Sequence, residues 1–481
     1  MTTGLKRHLA AVVATACLTV MATAAAQPTV QMELGLGGNV VVGAWNPLRV
    51  VARDVPLGSR LEVTFDHGSL RDGPVPFVLS LPVAGGPGLS VVERTVYVAP
   101  FSSVSWAVVG QGAVVASGGI AGRDQDDTPL DVVLSRRGGT FAAAFPESAR
   151  VVDITASQLP LDVAAYDGVR SVIVDGTTVP PRLAALAAAA AAGAVVVLNG
   201  PLPESHSELE LLLGRHGGRL GAGRVVASTG SAADVARLIA PEETVPRAEV
   251  VQASAATPLV TPPAQLKQHL VIVVAIVFSV LAVVLTRIFG GPGLVSTALV
   301  AGLLSLAAWQ AARPPAPQVV GTRTVAIVGG ELALATLLEE HYTLPATQLD
   351  LSVQARPLDV RPYRVDEAGL HLSLDGWRSV VLAGAPRVLD APLVLKGTHL
   401  VNRGSVTLTQ VLVVGLGPQG DLRPGATLQP RGQEDGPPPQ AYARLLDLLA
   451  PGTVVALSGC DAGCTVWLAP GVLAGNEWEG L

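Results

Sequence analysis

The chain has 481 residues, of which 49% are apolar and 15% are charged. This composition is too apolar for a disordered protein, and the length predicts roughly two to four folded units. The net charge of -6 argues against nucleic acid as a partner, and three cysteines with eight histidines are too few for repeated zinc, iron–sulfur or haem sites.

The first 26 residues have the pattern of a secretory signal peptide. Lys6 and Arg7 precede an apolar run at 9–20, which small residues follow. We predict cleavage after Ala26 and export of the remaining chain from the cytoplasm. The alternatives are a retained membrane anchor and a lipidated Cys17.

Residues 27–125 have the alternating pattern of a β-sandwich. Leu61, Val63 and Phe65 alternate with polar side chains, and glycine and proline separate the apolar runs. Short strands at this spacing predict two packed antiparallel sheets. Trp45 is expected to be a core residue of this domain rather than a platform for a ligand.

Residues 126–240 predict an α/β domain, because short buried-strand patterns alternate with helical patterns. In the clearest unit a strand ends at Asp175, Pro180 and Pro181 begin a helix, and Gly193 follows its end. Proline in the first turn and glycine just past the last one are typical helix boundaries. Strands that alternate with helices predict a parallel sheet covered on both faces.

One run in this domain carries a family resemblance. Residues 158–200, QLPLDVAAYDGVRSVIVDGTTVPPRLAALAAAAAAGAVVVLNG, resemble the central part of class I glutamine amidotransferase-like domains in uncharacterised bacterial envelope membrane proteins. The resemblance implies a parallel sheet of the flavodoxin or amidotransferase-like kind, with a β-domain before this unit and membrane helices after it.

The catalytic nucleophile of class I amidotransferases has no counterpart in this chain. That nucleophile lies on a sharp turn between a strand and a helix. Here the turn after AVVVL runs from Asn199 to Pro203 and contains neither cysteine nor serine. The resemblance therefore implies a domain that lacks the nucleophile, and no catalytic residue is carried over.

Two apolar segments predict a transmembrane helical hairpin at 270–312, after a proline-rich linker at 241–269. Residues 270–286 and 294–312 contain no charged side chain, and at about 1.5 Å per residue each nearly spans the ~30 Å core of a bilayer. Two crossings return the chain to the side that it left. All folded domains are therefore expected on the extracytoplasmic, periplasmic side of a bacterial cytoplasmic (inner) membrane. A buried soluble helical hairpin is the alternative.

Residues 313–481 return to strand-like runs and predict a β-rich extracytoplasmic domain. Short helices are predicted at Leu332–His341 and at Tyr442–Leu449. Cys460 and Cys464 are the only cysteines beyond the leader. In an oxidising compartment they are expected to form a small disulfide that pins a β-turn, and a redox-active pair is the alternative.

These patterns favour a membrane-anchored, extracytoplasmic binding or scaffolding protein of the bacterial cell envelope. We predict no catalytic residue, no cofactor and no metal site, and envelope or membrane proteins as partners; the oligomeric state stays open. Two alternatives remain. One is a hydrolase that acts on an envelope polymer through Asp153, Asp162 or Asp175, near strand ends of the α/β domain. The other is an accessory subunit of a membrane transport complex.

Overall fold

The structure is a computed structural model of the chain. It describes residues 28–67, 75–84, 86–121, 126–134, 144–175, 182–200, 218–228, 231–240, 247–256, 280, 283–284, 286–288, 290, 318–343, 348–351, 355–359, 361, 363–373, 378–396, 398–432, 443–460 and 463–470. The predicted signal peptide, 1–26, lies outside the described residues.

The N-terminal part of the chain forms antiparallel strands. Every second residue of the central strands is buried, as at Leu61, Val63 and Phe65, which are fully enclosed. This period of two is what a sheet with one face in a core requires. The strands are β1 (Thr29–Leu34), β2 (Ala44–Val55), β3 (Arg60–His67), β4 (Val75–Pro82), β5 (Gly86–Val98), β6 (Phe101–Gly110) and β7 (Ala113–Ala121).

The next part of the chain forms a mainly parallel sheet in the spatial order β9-β8-β10-β11-β13, with β12 antiparallel at the edge. This strand order is that of doubly wound sheets of the flavodoxin kind. The elements are β8 (Leu130–Leu134), β9 (Arg150–Asp153), β10 (Val169–Asp175), α1 (Leu183–Ala192), β11 (Val195–Asn199), β12 (Arg219–Leu220), β13 (Gly223–Ser228) and α2 (Ala232–Ile239).

The remaining elements form a mixed sheet with β15, β14, β28 and β27 at its centre, a smaller sheet of β22, β23 and β26, and three strands that extend a sheet of the N-terminal part. They are α3 (Arg247–Ala255), β14 (Gln318–Gly329), β15 (Leu332–Thr343), β16 (Gln348–Leu351), β17 (Ala355–Pro357), β18 (Tyr363–Val365), β19 (Leu370–Ser373), β20 (Arg378–Gly384), β21 (Arg387–Asp390), β22 (Leu393–Lys396), β23 (His399–Asn402), β24 (Leu408–Val413), β25 (Gly417–Leu422), β26 (Thr427–Leu428), α4 (Ala443–Leu446), β27 (Val454–Ser458) and β28 (Cys464–Ala469).

The sandwich is built from two distant parts of the chain. Its first sheet, sheet A, has the order β1-β2-β5, and its second, sheet B, has the order β16-β19-β18-β4-β3-β6-β7. Strand β18 lies parallel to β4, with Tyr363 beside Phe77 and Val365 beside Leu79. Residues 348–373 fall within the predicted C-terminal domain, yet they supply three strands of the sandwich.

The fold-class prediction is wrong in its transmembrane hairpin. Among the described residues no helix has both the length and the apolar character needed to cross a membrane. This finding does not support placement in an inner membrane. The structure describes only short helical pieces between residues 280 and 288, and most of the segment 270–312 lies outside the described residues. The prediction depended on two uncharged apolar runs of nearly spanning length and on the short turn between them, but apolar length does not define a spanning helix.

Two local predictions also differ from the structure. Residues Leu332–His341, predicted as a helix, lie in strand β15, which pairs with β14 on one side and with β20 and β21 on the other. A central strand buried on both faces is a nearly continuous apolar run, which resembles a buried helix in sequence. Within the predicted linker 241–269, helix α3 packs Val250 and Val251 against the C-terminal sheet.

Candidate ligand-binding cleft

A cavity of about 210 Å³ opens at the seam of the sandwich. Sheet A ends there at β5, whereas sheet B continues past β4 into β18 and β19. The cavity is therefore bordered by β5 on one side and by β4 and β18 on the other, with Ala355 and Arg356 of β17 contributing to its wall. We call this cavity the seam cleft.

Strand β5 meets the seam cleft with its edge rather than with one face. Four consecutive residues, Arg94 to Tyr97, line the cavity. Successive side chains of a strand point to opposite faces, so a cavity over one face would be lined by every second residue. The backbone groups of this stretch thus border the cleft together with its side chains.

Aromatic side chains form the walls of the seam cleft. Trp45 and Tyr97 are cross-strand neighbours, and their rings meet edge to face with centroids 5.9 Å apart. On the opposite wall the rings of Phe77 and Tyr363 stack with centroids 4.4 Å apart. Burial raises the pKa of both the Tyr97 and the Tyr363 hydroxyl above its ordinary value, so both remain protonated at neutral pH.

The cleft carries two guanidinium groups. The guanidinium carbon of Arg356 lies 3.8 Å from the centre of the Tyr97 ring, in a cation–π contact. Arg94 is exposed at the rim. Among the described residues neither arginine has an acidic side chain within ion-pair distance.

The acidic side chains of the cleft, by contrast, already have partners. Asp366 pairs with the His371 ring at 2.9 Å and accepts a hydrogen bond from the Ala368 amide at 2.8 Å. The bond with His371 is the main reason that the pKa of Asp366 lies below its ordinary value. Glu367 lies 3.8 Å from the Arg60 guanidinium. The two arginines therefore give the cleft a preference for a ligand with a negative group.

An ion pair outside the cavity fixes the Trp45 wall. The Trp45 amide donates a hydrogen bond of 3.1 Å to Oδ2 of Asp167, which lies just after a short 3-10 helix of the α/β domain. The other oxygen of Asp167 pairs with Arg247 of α3, and Arg247 also lies 3.4 Å from the Thr336 hydroxyl on β15. This junction joins the sandwich, the α/β domain and the C-terminal sheet behind the cleft.

The predicted disulfide residues lie away from the seam cleft. Cys460 and Cys464 are joined by a disulfide between β27 and β28, with their Cα atoms 4.1 Å apart. The adjacent Ser458 hydroxyl accepts a hydrogen bond of 2.8 Å from the Trp467 indole. The bridge thus closes the connection between two strands of the C-terminal sheet.

The three carboxylates of the hydrolase alternative have separate surroundings. Asp153 is exposed at the end of the edge strand β9, and Asp175 ends β10 on the other side of β8. Asp162 caps the 3-10 helix through the Ala164 amide at 3.1 Å and also accepts a hydrogen bond from Thr95. Asp162 therefore has a structural role at the contact with the sandwich.

The carboxyl edge of the parallel sheet carries a polar row that the sequence analysis did not assemble. Asp175, Asn199 and Ser228 are register neighbours on β10, β11 and β13. Asn199 is 7% exposed, and its Oδ1 atom is buried without a hydrogen-bond partner among the described residues. In open α/β sheets this edge is the usual place for ligands. The sequence pattern identified Asp175 as the end of a strand. That Asn199 and Ser228 lie beside it is known only from the pairing register of the three strands.

The sequence analysis also missed the seam cleft. Its residues come from 45–97 and from 355–369, and no periodic pattern links the two segments. Trp45, expected in the core, is 7% exposed and also lines the cleft. The parallel pairing of β18 with β4 brings the two segments together.

No protein-family model, no curated protein and no solved structure matches the chain. The resemblance of residues 158–200 to amidotransferase-like domains therefore stays a prediction.

Proposed function

We propose that the chain is a non-catalytic, extracytoplasmic binding protein of the bacterial cell envelope, and that it holds its partner in the seam cleft. The observation that carries this proposal is the combination of aromatic walls with two guanidinium groups, Arg94 and Arg356, in one open cavity. Aromatic rings supply large apolar contact areas, and arginine supplies directed hydrogen bonds to anionic groups. Both residue classes are enriched where proteins bind partners.

Two features support the extracytoplasmic location. The leader at 1–26 has the charge and apolar pattern of an export signal. The disulfide between Cys460 and Cys464 fits an oxidising compartment, because thiols in the cytoplasm are kept reduced.

The proposal is tested by photocrosslinking in the organism that produces the chain. A benzophenone amino acid replaces Arg94 at the rim of the cleft in the full chain, and the adducts formed under ultraviolet light are identified by mass spectrometry. We expect one dominant adduct, because the aromatic walls and Arg356 still bind a partner when Arg94 is replaced, and this partner contacts the rim.

Two controls make this test specific. Leu57 is 75% exposed and lies outside the residues that line the cleft, so the same label at Leu57 should not form the adduct. Substituting Ala368→Trp, at an exposed position of the cleft, should fill the cavity and suppress the adduct at position 94. Equal adducts at positions 94 and 57, or an adduct at 94 that Ala368→Trp leaves unchanged, would refute the proposal.

A further inference from the structure

Strand β5 has an open edge. It is the last strand of sheet A in the order β1-β2-β5, and it pairs with β2 along nearly its whole length. On its other side no described strand pairs with it. The N–H and C=O groups that point away from β2 therefore have no strand partner in the described part of the chain.

Much of β5 is exposed to solvent. From Gly88 to Arg94 every residue is exposed or half-buried. On β2, by contrast, Leu48, Val50 and Ala52 are buried in alternation with exposed or half-buried neighbours. Leu89 and Val91 are 57% and 44% exposed, so apolar side chains accompany the open backbone.

Among the described residues, the usual protection against pairing is confined to the beginning of β5, where Pro87 lies and where the register with β2 shifts between Arg53 and Val55. Soluble proteins shield edge strands with proline, lysine, bulges or covering loops. Residues 88–98 contain neither proline nor lysine, and Glu93 and Arg94 are their only charged side chains. The accessible stretch 88–94 spans roughly 24 Å at the rise of an extended chain, which is enough for a strand of seven residues.

The open edge runs directly into the seam cleft, because Arg94 to Tyr97 belong to the same strand and line the cavity. A strand added to β5 would thus carry its side chains past the aromatic walls. Binding of this kind draws affinity from main-chain hydrogen bonds and selectivity from pockets for alternate side chains.

We infer that the partner of the seam cleft is a polypeptide that adds an extended strand to β5. This inference rests on the proposed binding function and names the class of partner. One apolar or aromatic side chain of the added strand enters the cleft between Tyr97 and Tyr363. An acidic side chain near it pairs with Arg94 or Arg356, the guanidinium groups without an acidic partner in the described residues.

The test uses peptides selected on the full chain from a phage-displayed library of random peptides. The strongest peptide is synthesised with a single N-methyl group at each position in turn, and its dissociation constant is measured for every version. An N-methyl group removes one backbone donor and obstructs pairing at that residue. Because alternate residues of a strand face the neighbouring strand, we expect weakening of about tenfold or more at every second position and little change between them.

Hydrogen exchange on the same complex measures how peptide binding changes the backbone amides of the chain. We expect those amides of 88–94 that point away from β2 to exchange more slowly when the peptide is bound, since they gain main-chain partners. This measurement needs no substitution in the chain, so a folding defect cannot imitate the result.

Two outcomes overturn the inference, and they differ from failure of the proposed function. Strand addition is wrong if no peptide is enriched, or if the loss of peptide affinity follows side-chain identity and does not alternate along the peptide. In either case the adduct at position 94 can still show that the cleft binds a partner. If the alternation appears but Ala368→Trp leaves the affinity unchanged, the peptide does not enter the cavity and the inference is also wrong. If the labels at positions 94 and 57 form equal adducts, the proposed binding function is wrong, whatever the peptides show.

Discussion

Substituting Asp131→Ala is expected to lower the free energy of unfolding by about 3 to 5 kcal/mol, because it removes a buried charge from a completed network. Asp131 is fully buried on β8. Its carboxylate accepts hydrogen bonds from Arg170 Nε at 3.0 Å and from the Ser171 hydroxyl at 2.6 Å, and it also pairs with Arg170 Nη2. Without the carboxylate, the Ser171 hydroxyl and part of the guanidinium lose their acceptor inside the sheet.

This aspartate has a structural role rather than a role in binding. It is the second residue of β8 and lies at the amino end of the parallel strands, opposite the edge at which open α/β sheets bind ligands. We therefore expect Asp131→Ala to change stability in urea unfolding followed by circular dichroism. The matched control is Glu93→Ala, whose pair with Arg49 is well exposed and should contribute less than about 1 kcal/mol. An equal effect of both substitutions would contradict this account.

The second large effect is expected from Arg247→Ala, at about 3 kcal/mol. The side chains of Arg247 and Asp167 are 19% and 16% exposed, so their pair is largely withdrawn from water. Removing the guanidinium breaks the ion pair of Asp167 but keeps its hydrogen bond with the Trp45 amide, at 3.1 Å. It also removes the contact of Arg247 with the Thr336 hydroxyl. The loss should loosen the Trp45 wall of the seam cleft as well as the junction of the three domains.

Urea unfolding of the full chain measures this effect. Arg237→Ala is the matched control, because Arg237 pairs with Asp234 but is 78% exposed, and its loss should change stability by less than about 1 kcal/mol. A double variant with Asp167→Asn should lose less than the sum of the single losses, since the pair is already broken. Strictly additive losses would show that the two side chains do not act together.

Local patterns in the sequence were sufficient to predict those strands and helices whose structure depends mainly on their own residues. The alternation at Leu61–Phe65 corresponds to β3, and the unit around Asp175 corresponds to β10 and α1, which ends before Gly193. In these segments apolar period, proline and glycine all favour the same structure. Gly193 has a φ of 121°, a conformation that suits glycine and stops the helix.

Patterns failed where long-range pairing decides the structure. The leucines and alanines at 332–338 favour a helix by intrinsic propensity, yet pairing on both sides holds them in β15. The seam cleft could not be predicted because β18 reaches β4 from almost 300 positions further along the chain, and nothing in residues 363–365 indicates that partner. The transmembrane prediction failed because apolar length alone does not define a spanning helix.

The central claim is that β18 extends sheet B beside β4 and thereby forms the seam cleft. Val78 and Arg364 are register neighbours on β4 and β18 and are both accessible to solvent. In the full chain carrying Val78→Cys and Arg364→Cys, a short bifunctional thiol reagent should join the two positions, and intact mass should show a single bridging group. If mass spectrometry instead finds both cysteines modified separately, as in the two single variants, β18 does not lie beside β4 and the account of the cleft is contradicted.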